Sequence, residues 1–358
     1  MDSITGLQAP CIVHVDDATW RGSGGYAYMS PEDQCGEGGA RFPQFGVSVD
    51  VLQPGAGASY HREAWEDETF LVLAGECDLV IEGDLHRIGA GTFVHCPAGT
   101  AHVFVGAGEG PCQLVMFGAR GLVPDGSTWG EYLPDPQAAR LGVSVAEHTS
   151  DPAVAYAGRP AYEPVPAPMP FTLDRRHDTP TDSRARVAAD DWFIVHMDDA
   201  VWTDDGSVAT MSLDGPGFDR EFQQYCVNVR VVRPGRPTCA YHLEHPFDEV
   251  FLVLDGHGIA LIDDHEHPIR AGSFVVIPSG SAQVLVAAPD SHMVVLMFGT
   301  RDFLAEERGD GWIEYPVNAA AARHGASVTS ITHSSAEACA DWPVSHVVDT
   351  PPWTWRTR

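Results

Sequence analysis

Basic residues are scarce in this sequence. Of its 358 residues, 21 are Lys or Arg and 50 are Asp or Glu, which gives a formal net charge of −29 at pH 7. Nucleic acids and anionic membrane surfaces are bound through clusters of Lys and Arg. We therefore expect neither nucleic acid nor a membrane as a partner. The excess of acidic residues is best explained by solubility and does not by itself predict a function.

Long apolar runs and paired cysteines are absent as well. No segment approaches the roughly 18 apolar residues of a membrane helix, and residues 1–6 lack the basic and apolar regions of a signal peptide. The cysteines have no CxxC spacing, which favours free thiols in a reducing cytoplasm over a disulfide framework or a zinc knuckle. They are Cys11, Cys35, Cys77, Cys96, Cys112, Cys226, Cys239 and Cys339.

The strongest positive signal is a tandem repeat. The segment I-V-H-V-D-D-A-T-W, which ends at Trp20, returns as I-V-H-M-D-D-A-V-W, which ends at Trp202. The segment F-L-V-L-x-G at residues 70–75 returns at residues 251–256, a shift of 181 residues. Because the order of such pairs is kept along the chain, we interpret the sequence as a duplication.

Each copy is divided into short strand-like segments. In the first copy, apolar runs at residues 70–73, 77–81 and 85–88 are separated by turns that contain glycine. Turns at this spacing are typical of an all-β sandwich or barrel. Two alanine-rich segments, at 136–141 and 318–324, predict short helices. The predicted fold class is all-β, with each copy forming an antiparallel jelly-roll barrel.

A proline-rich segment separates the two copies and predicts an extended linker. The predicted organisation is an N-terminal barrel with a metal site, a linker, a C-terminal barrel with an altered metal site, and a tail. These parts cover residues 1–148, 149–190, 191–335 and 336–358, respectively.

Candidate metal ligands lie in the first copy. His61 and Glu63 are two residues apart, so on a strand both side chains point to the same face. A carboxylate several residues later and a histidine from a later strand could converge with them on one ion. Imidazole nitrogens and carboxylate oxygens are ligands that first-row divalent metals accept. Glu66 and Asp67, which follow, are expected on a solvated rim.

The spacing of these residues resembles the motifs of the cupin superfamily. The first motif, G-x5-H-x-H-x(3,4)-E-x6-G, is matched by Gly55, His61, Glu63, Glu68 and Gly75, with Glu63 in place of the second histidine. The second motif, G-x5-P-x-G-x2-H-x3-N, is matched by Gly91, Pro97, Gly99 and His102, with Gly106 at the asparagine position. The resemblance implies two cupin barrels in one chain.

In that family the motif residues hold one metal ion inside the barrel. The resemblance therefore implies His61, Glu63, Glu68 and His102 as ligands, and it leaves open whether Glu63 is a ligand or a catalytic base. With one carboxylate as ligand, the set is the facial triad that is typical of non-haem Fe(II) oxygenases. Fe(II) is the expected metal, with Mn(II), Ni(II), Co(II) or Zn(II) as alternatives.

The second copy carries an altered version of the same set. His242, Glu244 and Glu249 keep their places, but Gln283 stands where the first copy has His102. A carboxamide oxygen is a weak ligand for borderline transition metals. We predict at most a weak second metal site and place the chemistry in the first barrel. The second barrel would serve folding, contacts in a homodimer or closure of the cavity.

Three classes of function fit this pattern. The first is a metal-dependent oxygenase of the dioxygenase type, which acts on a small-molecule metabolite at the open metal site. The second is a non-redox isomerase, lyase or hydrolase, in which the ion polarises a carbonyl or activates water. The third is a small-molecule-binding protein without catalysis. No dinucleotide fingerprint, phosphate-binding loop or serine nucleophile elbow competes with them.

Overall fold

The computed structural model describes residues 6–7, 9–35, 41–175, 192–213, 224–300 and 311–355. Strands dominate this part of the chain, which confirms the predicted all-β fold class. The short α-helices are α1 (Glu32–Cys35), α2 (Pro136–Arg140), α3 (Pro152–Ala155), α4 (Ala319–Arg323) and α5 (Ser335–Ala338). Of these, α2 and α4 are the helices predicted from the alanine-rich segments.

The described strands follow the repeat. Those before residue 190 are β1 (Cys11–His14), β2 (Trp20–Ser23), β3 (Tyr26–Met29), β4 (Phe45–Leu52), β5 (His61–Glu63), β6 (Glu68–Ala74), β7 (Glu76–Ile81), β8 (Asp84–Gly89), β9 (Thr92–Cys96), β10 (His102–Ala107), β11 (Cys112–Ala119), β12 (Gly130–Tyr132) and β13 (Glu163–Val165). Those after it are β14 (Phe193–His196), β15 (Trp202–Asp204), β16 (Val208–Ser212), β17 (Tyr225–Val232), β18 (Leu243–Glu244), β19 (Glu249–Ile262), β20 (His265–Arg270), β21 (Ser273–Ile277), β22 (Gln283–Ala287), β23 (Met293–Thr300), β24 (Ile313–Glu314) and β25 (His346–Val348).

The chain packs as two compact units that do not strictly follow its order. The N-terminal unit comprises the described parts of Asp16–Gln34, Pro43–Asp199 and Trp355–Arg358. The C-terminal unit comprises the described parts of Met1–Val15, Cys35–Phe42 and Ala200–Thr354. The predicted division at residues 148, 190 and 335 stays a prediction.

Two sheets build the barrel of the N-terminal unit. Within the described ranges, the larger sheet has the order β13-β2-β3-β4-β11-β6-β9-β14 and the smaller one the order β12-β5-β10-β7-β8. The apolar core between them includes Leu52, Phe70, Val72, Leu79, Ile81 and Leu114. The pairing of β5, β10 and β7 in the smaller sheet brings the two predicted motifs side by side.

Strand β4 shows how the sequence sets the inner face of this barrel. Val47, Val49 and Val51 alternate with Ser48 and Asp50, and all five residues are buried. Valine favours the pleated backbone, and the alternation places the two polar side chains together on one face. In a closed barrel that face lines the interior, so the strand carries polar groups into the core.

The C-terminal unit repeats this architecture with one long strand in place of two. In its described part, β19 pairs with β20, β21, β22 and β23 and so spans the positions of β6 and β7. Its register shifts between Val253 and Asp255, and Gly256 follows with a φ of 79°. Gly75 has a φ of 73° at the same place in the first copy. The repeated glycine is therefore required by a backbone conformation that other residues avoid.

The first strand of each repeated segment pairs away from its own copy. Strand β1 pairs with β21 in the C-terminal unit, and β14 pairs with β9 in the N-terminal unit. His14 Nε2 lies 2.9 Å from Ala271 O, and His196 Nε2 lies 3.2 Å from Ala90 O. The repeated V-H-x-D-D-A-x-W segment therefore has a structural role at equivalent places in both units.

The structure corrects the prediction that the cysteines are free. Cys11 on β1 and Cys35 at the end of α1 form a disulfide. The prediction failed because the place of β1 is set by a strand far along the chain, which no local spacing reveals. Six other cysteines are free thiols, as predicted: Cys77, Cys96, Cys112, Cys226, Cys239 and Cys339. The cytoplasmic location stays a prediction.

The described helices are all too short or too polar to cross a membrane.

Two tryptophans near the end of the C-terminal tail, Trp353 and Trp355, are buried. Trp353 Nε1 donates to Asp255 Oδ2 at 2.9 Å in the C-terminal unit. Trp355 Nε1 donates to the backbone oxygen of Asp174 at 2.6 Å in the N-terminal unit.

Candidate metal centre

The four predicted ligands of the first barrel lie at the ends of three strands. His61 begins β5 and Glu63 ends it, Glu68 begins β6, and His102 begins β10. His102 is the register partner of His61 across the smaller sheet. One ligating atom from each of the four side chains lies within 4.8 Å of the others. The structure thus brings together the residues that the motif spacing predicted.

A tight turn carries His102 to this place. The backbone N–H of Thr100 donates to Pro97 O at 3.0 Å, and Gly99 between them has a φ of 91°. A type II turn needs such a φ at its third residue, and glycine adopts it without steric cost. The N–H of Gly99 donates to Glu63 O at 2.6 Å and ties the turn to β5. The proline and glycine of the second motif therefore position the histidine.

Both imidazoles are held with the same nitrogen facing the cluster. His61 Nδ1 lies 2.7 Å from Ser59 O, and His102 Nδ1 lies 3.0 Å from Thr100 O. A backbone carbonyl accepts only from a protonated nitrogen, so Nδ1 carries a hydrogen and Nε2 is the nitrogen that a metal can bind once it is deprotonated. This arrangement, with Nδ1 bound to an oxygen and Nε2 pointing inward, is the one that metal-ligating histidines adopt.

The carboxylate oxygens provide a test of whether a metal fits here. His61 Nε2 lies 2.9 Å from Glu63 Oε1, and His102 Nε2 lies 3.1 Å from Glu68 Oε2. Among the described residues, however, these two buried oxygens have no hydrogen-bond partner of normal geometry. Buried carboxylate oxygens without a partner are costly. A divalent cation between the four side chains satisfies both, so the donor set fits a metal.

The two carboxyl groups of the cluster differ strongly in pKa. Burial raises the pKa of Glu68 to about 7, and the charge of Glu63 adds to this effect. Burial acts on Glu63 too, but the charge of His61 outweighs it and lowers the pKa of Glu63 to about 2. Two carboxyl groups with such different pKa values are typical of a functional site.

Aromatic and acidic neighbours hold the His61 ring. Trp129 stacks on His61 with a ring separation of 5.7 Å, and Tyr132 stacks on it at 5.9 Å. Trp129 Nε1 donates to Glu66 Oε2 at 3.1 Å. The prediction that Glu66 lies on a solvated rim is therefore wrong, because its side chain is buried to hold this indole. Asp67 Oδ1 accepts from the N–H of Ala98 at 2.8 Å in the turn before β10.

A cavity of about 250 Å³ opens onto the four ligands. Its wall includes Asp50, which the sequence did not suggest as a site residue. Tyr26 Oη donates to Asp50 Oδ2 at 2.8 Å, and Ser48 Oγ donates to Asp50 Oδ1 at 2.7 Å. Burial raises the pKa of Asp50 to about 6, against the effect of these two hydrogen bonds. A buried carboxyl group on the larger sheet therefore lines the cavity beside the four candidate ligands.

We expect Asp50 to destabilise the fold at neutral pH. A carboxyl group whose pKa rises from 3.8 to about 6 on folding lowers the free energy of unfolding by up to about 3 kcal/mol above pH 6. The loss fades as the pH falls from 6 toward 3.8. In the presence of a chelator, Asp50→Asn should therefore raise the free energy of unfolding by about 1–3 kcal/mol at pH 8 and by less at pH 5.

Tyr26→Phe is the matched control for this prediction. It removes one hydrogen bond to the charged Asp50 and should lower the free energy of unfolding by about 1–3 kcal/mol at pH 8. Urea unfolding of both variants at the two pH values measures the effects. If Asp50→Asn were less stable than the unchanged protein at pH 8, the prediction that the buried charge of Asp50 lowers stability would be wrong.

The comparison with known families agrees with this geometry. A family model described as the cupin domain matches residues 48–118 and again residues 228–299. Each match contains one of the predicted clusters of histidine and glutamate. The chain contains two cupin domains. No curated protein sequence matches it significantly.

Several solved structures are similar in fold to this chain. A candidate glyoxylate-induced protein from Pseudomonas aeruginosa has 13% identity and a TM-score of 0.53, with 84% of this chain and 92% of that chain covered. The oxalate decarboxylase of Lactobacillus farciminis, in a formate complex, has 18% identity and a TM-score of 0.52, covering 83% and 88%. That of Bacillus subtilis has 15% identity and a TM-score of 0.51, covering 83% and 78%. At these identities the likeness shows the shared fold alone.

The second cupin domain contains the altered cluster. His242 Nε2 lies 3.6 Å from Glu244 Oε1 and 3.9 Å from Glu249 Oε2. Gln283 reaches the cluster through the same kind of turn as His102, and its Nε2 donates to Glu249 Oε2 at 2.8 Å. The amide thus occupies the carboxylate that a metal would otherwise bind. The unequal metal affinity of the two domains stays a prediction that this contact supports.

Proposed function

We propose that this protein is a divalent-metal-dependent enzyme that acts on a small molecule inside the first cupin domain. The observation that carries the proposal is the convergence of two Nε2 atoms and two carboxylate oxygens without hydrogen-bond partners at the base of a cavity. The ligands are His61, Glu68 and His102, with Glu63 as fourth ligand or as a base beside the metal. Fe(II) is the proposed ion.

The proposed reaction class is a dioxygenase-type oxidation. A bound Fe(II) would supply one-electron chemistry with O₂ and substrate at its open positions. The chain's own contribution is to fix both imidazoles through the backbone oxygens of Ser59 and Thr100 beside a cavity that could hold a small molecule. Glu63, with its pKa lowered to about 2, is ionised at neutral pH, which suits a ligand of a cation better than a general base.

A non-redox metal-dependent reaction is the second candidate, and Asp50 is the observation that favours it. Its carboxyl group, with a pKa raised to about 6 by burial, can give or take a proton near neutral pH. Isomerases and lyases need such a group beside a metal-polarised carbonyl. The Bacillus subtilis oxalate decarboxylase, which has Mn(II) centres, is a lyase-type example of the same fold.

Anaerobic purification separates these candidates. We expect the protein to retain about one Fe(II) per chain, because two imidazoles with carboxylates suit this ion, and to consume O₂ when a panel of small metabolites is added. Metal analysis and an oxygen electrode measure the two results, with His61→Ala as the inactive control. Turnover without O₂ would favour the non-redox reaction. Metal binding without any turnover would favour the binding protein.

A further inference from the structure

The charge of the inner cavity indicates what kind of substrate it takes. Three carboxylates face the cavity, those of Asp50, Glu63 and Glu68. Among its lining residues, all of which lie in the described part of the chain, there is no lysine or arginine. A divalent ion offsets the charges of Glu63 and Glu68. The charge of Asp50 has no such counterpart.

When Asp50 is ionised, neither solvent nor the groups that hydrogen-bond it balance its charge. Its side chain is buried, with only 5% of the residue exposed. The groups that hydrogen-bond it, the hydroxyls of Tyr26 and Ser48, are uncharged. Hydroxyl donors orient a carboxylate but leave its charge in place. A buried charge without a counter-ion is costly, and a positively charged ligand in the cavity would offset this cost.

Aromatic side chains form most of the remaining wall. Six of them line the cavity: Tyr26, Phe70, Phe104, Trp129, Tyr156 and Tyr162. Tyr26 and Tyr162 meet edge to face with ring centres 5.8 Å apart, which makes a corner beside Asp50. Aromatic faces attract cations, and several rings around one carboxylate are a recognised way to hold an ammonium group.

A second, outer cavity is lined by some of the same rings. This outer cavity, of about 480 Å³, shares Tyr26, Tyr156 and Tyr162 with the inner one. In it, the guanidinium of Arg159 lies 5.0 Å from the ring centre of Tyr156. Arg159 also donates to the backbone oxygen of Gly57 at 2.8 Å, so it is held at the rim. One of the shared rings therefore already has a cation on its face.

We propose that the inner cavity binds a small substrate that carries an ammonium or similar cationic group. The cation lies against Asp50 and the Tyr26–Tyr162 corner, and an oxygen donor of the substrate points to the metal. Only the contact between the substrate oxygen and the metal rests on the proposed function. The cation site separates this protein from cupins that act on simple dicarboxylates, because a dianion would meet the charge of Asp50 without a basic side chain to balance it.

Three probes of similar size test this assignment on the full chain loaded with Mn(II). Benzylamine, benzyl alcohol and benzoate carry a positive, no and a negative charge, and titration calorimetry compares their affinities. We expect benzylamine to bind at least about 10-fold more tightly than benzyl alcohol, since an ion pair and a cation–π contact are added. In Asp50→Asn, the preference should fall to about threefold or less.

Control variants keep the test decisive. Asp84→Asn removes an exposed carboxylate at the start of β8 and should leave the preference unchanged. Tyr162→Leu removes one ring of the corner at a half-exposed position and should lower benzylamine affinity about 3- to 10-fold, which covers the case that Asp50→Asn does not fold. Tighter binding of benzoate than of benzylamine would overturn the proposal, as would an unchanged preference in Asp50→Asn.

Metal content distinguishes the failure of this inference from that of the proposed function. A chain that binds no Mn(II) but prefers benzylamine through Asp50 would refute the metal-dependent function and retain the cation site. A chain that binds Mn(II) normally and shows no preference for the cation would refute the cation site alone.

Discussion

Replacing His102 with alanine is expected to abolish tight metal binding and any metal-dependent activity. His102 supplies the ligand from the strand opposite His61, so without it the remaining donors come from β5 and β6 alone. Loss of an outer partner of a ligand typically lowers affinity 10- to 100-fold, and loss of the ligand itself should cost on the order of 100-fold or more. Metal content after dialysis against a weak chelator measures the effect.

The fold should survive this change, because His102 lies at the start of β10 and the strand keeps its pairing with β7. Circular dichroism should therefore match that of the unchanged protein. His148→Ala is the matched control: its imidazole is about half exposed in the same unit and lies apart from the cluster. Full metal occupancy in His102→Ala would show that the ligand assignment is wrong.

The second large effect concerns the other domain, where Gln283→His should create a tight metal site. Gln283 is the bridge partner of His242, as His102 is the register partner of His61. An imidazole there would present its Nε2 to the cluster and free Glu249 from the amide that now donates to it. Metal content should rise from about one to about two ions per chain, since imidazole is a strong ligand for these metals.

Two combined variants test the origin of the added ion. Gln283→His with His242→Ala should return to about one ion, and Gln283→His with His61→Ala should hold about one ion in the second domain alone. The unequal-domain hypothesis fails if the unchanged protein already holds two ions tightly. It also fails if activity survives His61→Ala but is lost in His242→Ala.

The pairing of His61 with Glu63 could be predicted because its geometry is local, whereas the set of four followed from the family resemblance. The structure brings the four side chains together, and their binding of a metal stays a prediction. His61 and Glu63 share a face of one short strand, and the Pro97–Gly99 turn fixes the start of β10 within a few residues of His102. Strand period and turn chemistry are properties of neighbouring residues, so they are visible in the sequence. The repeat then carried the same interpretation to the second copy.

Other site residues could not be predicted because they reach the cavity through tertiary pairing. Asp50 alternates with valines on β4, a pattern that also suits a strand with one face in water. Only closure of the barrel turns that face inward. Tyr156 and Tyr162 come from the segment predicted as a linker, and their place in the wall depends on the pairing of β13 with β2. The disulfide between Cys11 and Cys35 was missed for the same reason.

The pairing of β1 with β21 has a consequence for biosynthesis on the ribosome. Strand β1 ends at His14, while its partner ends at Ile277, so β1 leaves the ribosome long before its partner is made. At about 5–20 residues per second, the wait lasts on the order of 10 to 50 s. An unpaired strand edge is open to wrong partners during that time. Strand β1 is only four residues long, which limits how firmly a wrong partner can hold it.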